Sequence, residues 1–262
     1  MEGDHGDAAT RNVKTENLLK AGGIDVEMDS KNLITHAKGV CVDGSQVLAG
    51  STNMTNTSMN QNNEVSLHLT SKTLSKQYES YFNQLWTDPS NLHSGVTRSG
   101  NVSMITDQSY EDQLLDVINN AKGTLTASMY DFDWSKSDPE AQKVMDALVA
   151  ASKRGVKVTM MLEQSSADFA PEITKINEQA YANLKANGID VHLDSPTQIS
   201  HQKFIVADGQ DVLLGSSNWT NSDFNQRHQI NWRVEDGSLG GQLTTLLKNE
   251  IAKDGSAPVK VS

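Results

Sequence analysis

The chain has 262 residues, enough for one large domain or two modest ones, and its 36% hydrophobic content suits an ordinary globule. With 33 acidic against 22 basic residues its formal charge is −11, which repels nucleic acid and anionic membranes at long range and weighs against a general polyanion binder unless basic groups are focused locally. The single cysteine, Cys41, excludes an intramolecular disulfide, no segment approaches 18 consecutive apolar residues, and the acidic stretch at residues 1–7 lacks the apolar run of a secretion signal. The chain as given thus implies no transmembrane segment and no signal peptide, and it leaves the compartment unassigned.

In chain order, apolar periodicity predicts a helix over residues 15–21, then strands around Ile24 and over 35–42, 47–49 and 64–69, then a helix over 72–86. The polar stretch 87–100, with Pro89, Gly95 and Gly100, reads as a linker. Beyond it come a strand over 102–106, a helix over 110–121, a strand over 124–130 and a helix over 140–154 stopped by Gly155. A strand over 156–162, a helix over 173–186, strands over 189–193, 199–206, 212–215 and 230–234, and a helix over 239–252 complete the chain. Alternation of this kind predicts an α/β sandwich with helices on a mixed sheet.

Sliding the sequence against itself by 165 positions aligns residues 19–56 with 184–221 without a gap, and 21 of the 38 positions are identical. A period this long means duplicated domains. The division is a partial lobe over 1–86, a linker over 87–100 and a complete lobe over 101–262. Nothing in the first copy matches the segment 102–161, so lobe one is expected to be truncated or completed by another chain, with truncation favoured. A half-built sheet should expose strand edges and apolar surface and so lose stability unless something covers it.

The repeat carries its polar residues in register. His36 and Lys38 match His201 and Lys203, Asp43-Gly44 matches Asp208-Gly209, and Gly50-Ser51-Thr52-Asn53 matches Gly215-Ser216-Ser217-Asn218. On a strand, His and Lys two residues apart leave the same face and reach one phosphate together. Asp-Gly between two apolar runs is hairpin-turn chemistry, which makes Asp43 and Asp208 structural. Ser51, Asn53, Ser216 and Asn218 can donate to non-bridging phosphate oxygens. Phosphodiester cleavage needs a nucleophile, an acid for the leaving oxygen and donors for the developing charge, and two copies supply each of these without a metal or cofactor.

The paired motifs, His36-Ala-Lys38 with Asp43-Gly44 and His201-Gln-Lys203 with Asp208-Gly209, each followed by Gly-Ser-x-Asn, resemble the double signature of the phospholipase D superfamily. The resemblance covers lobe two fully and the surviving part of lobe one. It implies two α/β/α sandwich lobes about a pseudo-two-fold axis, the first incomplete, with both motifs at their interface and a metal-independent transfer through a covalent phosphohistidine. It also implies that Glu64 orients a catalytic imidazole, while the aligned Gln229 holds a tautomer without adding charge. That asymmetry, with the family habit of attacking from the N-terminal motif, assigns His36 as nucleophile and His201 as general acid/base.

His5, His68, His93 and His192 read as ordinary loop or strand histidines, His228 as a residue beside the cleft, and Trp219 and Met54 as packing beneath the site. Asn53-Met54-Thr55 and Asn218-Trp219-Thr220 match glycosylation sequons but fall inside the proposed site. The expected partner is a phosphodiester, a phospholipid before a nucleic acid. A nuclease with Lys153, Arg154, Lys157 and Arg227 lining a groove is the second reading, and an inactive phosphate-binding remnant the third. Homodimerisation is left open.

Overall fold

A computed structural model describes residue 1 and residues 6–134, 139–165 and 170–254; His5 lies outside these. In lobe one, α1 (Gly6–Ala21) leads to β1 (Ile34–Thr35), β2 (Gly39–Val42), β3 (Gln46–Gly50), α2 (Asn56–Asn60), β4 (Ser66–Thr70) and α3 (Lys72–Thr87). Then follow β5 (Gly95–Ser99), β6 (Val102–Thr106), α4 (Ser109–Asn120), β7 (Thr124–Met129), α5 (Pro139–Lys153), β8 (Lys157–Leu162), α6 (Pro171–Ala186) and β9 (Asp190–Leu193). Lobe two closes with β10 (Lys203–Ala207), β11 (Asp211–Gly215), α7 (Asn221–Asn225), β12 (Arg227–His228), β13 (Ile230–Glu235) and α8 (Gly237–Asp254).

Eight strands form one mixed sheet in the order β5-β6-β13-β11-β10-β7-β8-β9. Only the β7–β8 and β8–β9 pairs are parallel, as expected where the crossover helices α5 and α6 join them. One face of the sheet buries Ile105, Leu125, Ala127, Ile205 and Leu213 beneath Leu114, Val117 and Ile118 of α4 and Val144 and Leu148 of α5. The opposite face, with Met104, Phe204, Val206, Val212, Leu214 and Trp232, packs against Leu243 and Leu247 of α8 and against Val47, Ala49, Leu74 and Tyr81 of lobe one. The three-stranded sheet β2-β3-β4 is therefore fastened to the large sheet through a shared apolar core.

The outer face of that small sheet is bare. Val40, Val42 and Leu48 are 41%, 45% and 48% exposed, whereas their repeat counterparts Ile205, Ala207 and Leu213 are buried under α4 and α5. Among the described residues lobe one holds nothing equivalent to those helices.

Two local predictions differ from the fold. No strand forms around Ile24, and the stretch read as linker contributes β5, which pairs antiparallel with β6 at the edge of the large sheet. The polar run Thr97-Arg98-Ser99 hid an edge strand that is only half-buried on alternate residues.

Both hairpins after the motifs turn on Asp-Gly. Asp43 and Gly44 have φ of 51° and 55°, Asp208 and Gly209 have 52° and 71°, and Asp is among the few L-residues that tolerate this region. The Asp208 carboxylate also accepts the backbone N–H groups of Lys122, Gly123 and Thr124 at 2.9, 2.7 and 2.9 Å, which ties the turn to the start of β7. The glycines that end β3 and β11 are required by close strand approach. A Cβ on Gly215 would lie 2.3 Å from Asn231 Oδ1 and 2.6 Å from its Cα, and one on Gly50 would lie 2.4 Å from the Val65 carbonyl oxygen. Because backbone cannot step aside cheaply, Gly215→Ala is expected to cost about 3 kcal/mol, read as a lowered urea midpoint at unchanged slope.

Candidate active site

The pseudo-two-fold relation is written in the backbone. Thr35 pairs in parallel with His228, and at positions offset by 165, Ser200 pairs in parallel with Asn63. The amide of His36 then donates to the His228 carbonyl at 2.9 Å, and that of His201 to the Asn63 carbonyl at 2.9 Å. Each motif thus enters its hairpin only after crossing to the other lobe. This corrects the prediction that His and Lys share a strand: β2 and β10 begin at Gly39 and Lys203, because the residues ahead of them spend their backbone bonds on the opposite lobe.

That crossing decides which groups meet. His201 Nδ1 lies 3.0 and 3.2 Å from the two carboxylate oxygens of Glu64, whereas His36 Nδ1 lies 3.2 Å from Gln229 Oε1. Glu64 therefore supports the histidine of the other lobe, and the asymmetry used to favour His36 as the better-supported imidazole runs the opposite way. In both rings Nδ1 faces an oxygen acceptor, so Nδ1 carries hydrogen and Nε2 is left for chemistry. The side chains are 20% and 11% exposed, open at one edge only.

A carboxylate that sequence reasoning missed lies beside His36. Asp223 Oδ1 is 3.4 Å from His36 Nδ1 and accepts the Gln229 side-chain amide at 2.5 Å, while Oδ2 accepts from Thr220 Oγ1 and Arg227 Nη1 at 2.8 and 2.9 Å. The location is set locally. Thr220 caps α7 by accepting the Asp223 backbone N–H at 3.2 Å, just as Thr55 caps α2 through the N–H of Ser58. The threonines of both sequon matches are thus helix caps.

Ser51 and Ser216 are fully buried, and their hydroxyls donate to Glu64 Oε2 at 2.5 Å and Gln229 Oε1 at 2.6 Å while accepting the N–H groups of Val65 and Ile230. They hold the residues behind the imidazoles. Asn53 is partly buried, and Asn218, 4% exposed, keeps its Oδ1 without a partner.

Lys203 is 1% exposed, donates to the His201 carbonyl at 3.0 Å and lies over the Tyr130 ring, 4.9 Å from its centroid. Lys38 makes the matching bond to the His36 carbonyl. Burial brings the Lys203 ammonium down to about 8 despite the carboxylates of Glu64, Asp223 and Asp131, and burial with repulsion from Lys203 lowers Lys38 too. Burial, then the adjacent lysine, lowers His36 to about 3 and His201 to about 4, so both rings are neutral at neutral pH before an anion enters. Burial raises Glu64 and Asp223, but hydrogen bonds from His201 and the two serines to one, and from His36, Arg227 and Thr220 to the other, outweigh it, and both stay ionised. At the end of β7 burial and the charge of Asp223 raise Asp131 to about 7. Since burial lets Lys203 lose its charge near pH 8, a kcat/KM on a diester that depends on this ammonium should fall as pH rises through about 8, and Lys203→Arg should shift that limb upward in a pH–rate profile.

Other expected neighbours lie elsewhere. His228 is wholly buried, with Nδ1 3.4 Å from Asp107 Oδ2 and Nε2 2.9 Å from the Pro89 carbonyl oxygen, so it anchors the linker and does not face the cleft. Trp219 packs against Phe132 and donates to the Tyr110 hydroxyl, but Met54 at the equivalent position is 64% exposed because lobe one has no described counterpart of Tyr110 or Phe132. Lys157 pairs with Thr124 at the opposite end of β7 from Met129, which pairs with Lys203. Arg154 bonds the carbonyls of Ile118 and Asn119. Of the four proposed groove cations, Arg227 alone is seen at the motifs.

The chain is 35% identical over 77 residues to a phospholipase D of Rickettsia conorii, covering 29% of this chain and 35% of that protein. It is 26% identical over 132 residues to a phospholipase D of Rickettsia bellii, covering 50% and 61%. The chain thus spans about a third of the length of the first of these relatives. Among solved structures, polyphosphate kinase from Porphyromonas gingivalis superposes with a TM-score of 0.62 at 14% identity, covering 92% of this chain and 37% of that one. Phosphatidylserine synthase from Haemophilus influenzae gives 0.61 at 12% identity, covering 84% and 62%. These two show the fold. Residues 2–86 and 114–253 match the family described as cardiolipin synthase, PLD-like domain, and the chain belongs to this phospholipase D-like family.

Proposed function

We propose that this chain is a phosphodiesterase that cleaves or transfers a phosphodiester in two steps through a phosphohistidine on His36. The observation that carries the reading is the cross-lobe site itself: two imidazoles, each backed by groups of the opposite lobe and each followed by a lysine that donates to that histidine's own carbonyl, converge in one place. In the first step the bound diester anion keeps His201 protonated at Nε2; His36 Nε2 attacks phosphorus, the P–O bond to the leaving alcohol breaks, and His201 gives that proton to the departing oxygen. In the second, His201 takes a proton from water or an acceptor alcohol, whose oxygen forms the new P–O bond as the P–N bond breaks. Lys38 and Lys203 offset the phosphoryl charge. His201 is assigned as the acid because Glu64 faces its Nδ1 with both oxygens and so stabilises the imidazolium that proton transfer requires.

A phospholipid is the favoured substrate. Lys157 and Arg154 are not found at the site, the net charge of −11 opposes a polyanion, and Met54 and Met59, which follow Asn53 in the chain, are exposed. Rates on phosphatidylcholine vesicles, on single- and double-stranded DNA and on bis-p-nitrophenyl phosphate, with and without EDTA, test this. Lipid turnover unaffected by EDTA is expected. Faster cleavage of DNA than of lipid would replace the substrate, and abolition by EDTA would sink the metal-free mechanism.

A further inference from the structure

We infer that Asp223 is the positioning carboxylate of His36, doing from one repeat position what Glu64 does for His201 from another. The inference rests on the catalytic reading above and extends it. Offset by 165, Ser58 corresponds to Asp223, Asn62 to Arg227 and Glu64 to Gln229. In lobe one the carboxylate is at the third of these positions, and Ser58 Oγ and Asn62 Nδ2 donate to it at 2.7 and 3.2 Å. In lobe two the carboxylate has moved to the first position, Arg227 Nη1 donates to it at 2.9 Å, and the third position holds an amide that donates to it at 2.5 Å. Each half-site therefore has one carboxylate and two groups that donate to it, with the acid and its donor exchanged.

The exchange preserves chemistry. Removing the charge at the third position would leave His36 facing an amide oxygen alone, which fixes a tautomer but does little to stabilise an imidazolium. Asp223 restores the charge from 3.4 Å, fully buried, through the Gln229 amide and directly. Arg227 fixes its far oxygen, so Oδ1 is turned toward the ring.

If the positions are interchangeable, the lobe-one arrangement should work in lobe two. Asp223→Ser is expected to lower kcat on bis-p-nitrophenyl phosphate about 100-fold with KM little changed, whereas the transplant Asp223→Ser, Arg227→Asn, Gln229→Glu returns it to within about 10-fold of wild type. A merely structural role for Asp223 predicts no such rescue, because the transplant removes the same contacts to Thr220 and Arg227. Should Asp223→Ser not fold, Asp223→Asn against Asp223→Asn, Gln229→Glu asks the same question. A transplant as slow as the single variant, or a single variant as fast as wild type, overturns the proposal. ¹⁵N-histidine NMR reads it independently of turnover: the His36 Nδ1–H resonance should move upfield in Asp223→Ser and return in the transplant. If wild type cleaves no diester the catalytic reading falls, and the resonance still decides whether Asp223 supports His36; an unmoved resonance counts against it.

Discussion

His36→Ala is expected to reduce kcat/KM on every diester by about 10⁴-fold or more, with KM on the residual activity little changed. The ring supplies the Nε2 assigned to attack, and alanine has no atom that can make the P–N bond. Phosphate binding should persist because Lys38 and Lys203 reach the site from their own backbone anchors at residues 36 and 201. The fold should persist as well: His36 sits at the lobe junction through its main chain, whose N–H donates to His228, and alanine keeps that bond. Quench of wild type turning over a ³²P-labelled diester in alkaline denaturant, followed by proteolysis at alkaline pH, should yield a labelled peptide spanning residue 36, its label acid-labile and alkali-stable, and the variant should give none. Label on a peptide containing residue 201 would reverse the two roles.

How far the sequence anticipates this site follows from which interactions are local. The repeat, the paired His-x-Lys, the Asp-Gly turns with their positive φ and the glycines at the strand ends can all be read, because each depends on a few consecutive residues and occurs twice. The exchange of partners between lobes cannot. Glu64 and His36 are 28 residues apart in one lobe, and only the parallel pairing of Thr35 with His228 and of Asn63 with Ser200 sends each motif across. Ser51 and Ser216 were legible as small polar residues but not as donors to the residue thirteen positions on, a contact made by adjacent strands. Asp223 left a trace that went unread. The repeat alignment continues at the same offset past Asn56, and Ser58/Asp223 and Glu64/Gln229 are two non-identities that compensate each other. Compensation between positions six apart is a stronger sign of a conserved charge than either position alone.

His201→Ala separates the two steps, and its effect should depend on the leaving group. With an alkyl leaving group, as in phosphatidylcholine, the departing oxygen needs a proton in the first step, and loss of the acid is expected to slow turnover about 10³- to 10⁴-fold. A p-nitrophenolate leaves without help, so on bis-p-nitrophenyl phosphate the first step should slow far less. The second step loses its base with either substrate. Phosphoryl-enzyme should therefore accumulate on His36, seen as a nitrophenolate burst stoichiometric with enzyme, followed by a steady rate about 10³-fold below wild type. Glu64→Gln should show the same pattern more weakly, because it leaves the imidazole in place and removes the charge that holds its proton, 3.0 Å from Nδ1. Equal losses on both substrates with no burst would mean that His201 does not transfer protons. The carboxylate on the far lobe would then serve packing, and the directional scheme would have to be rebuilt around His36 and Asp223.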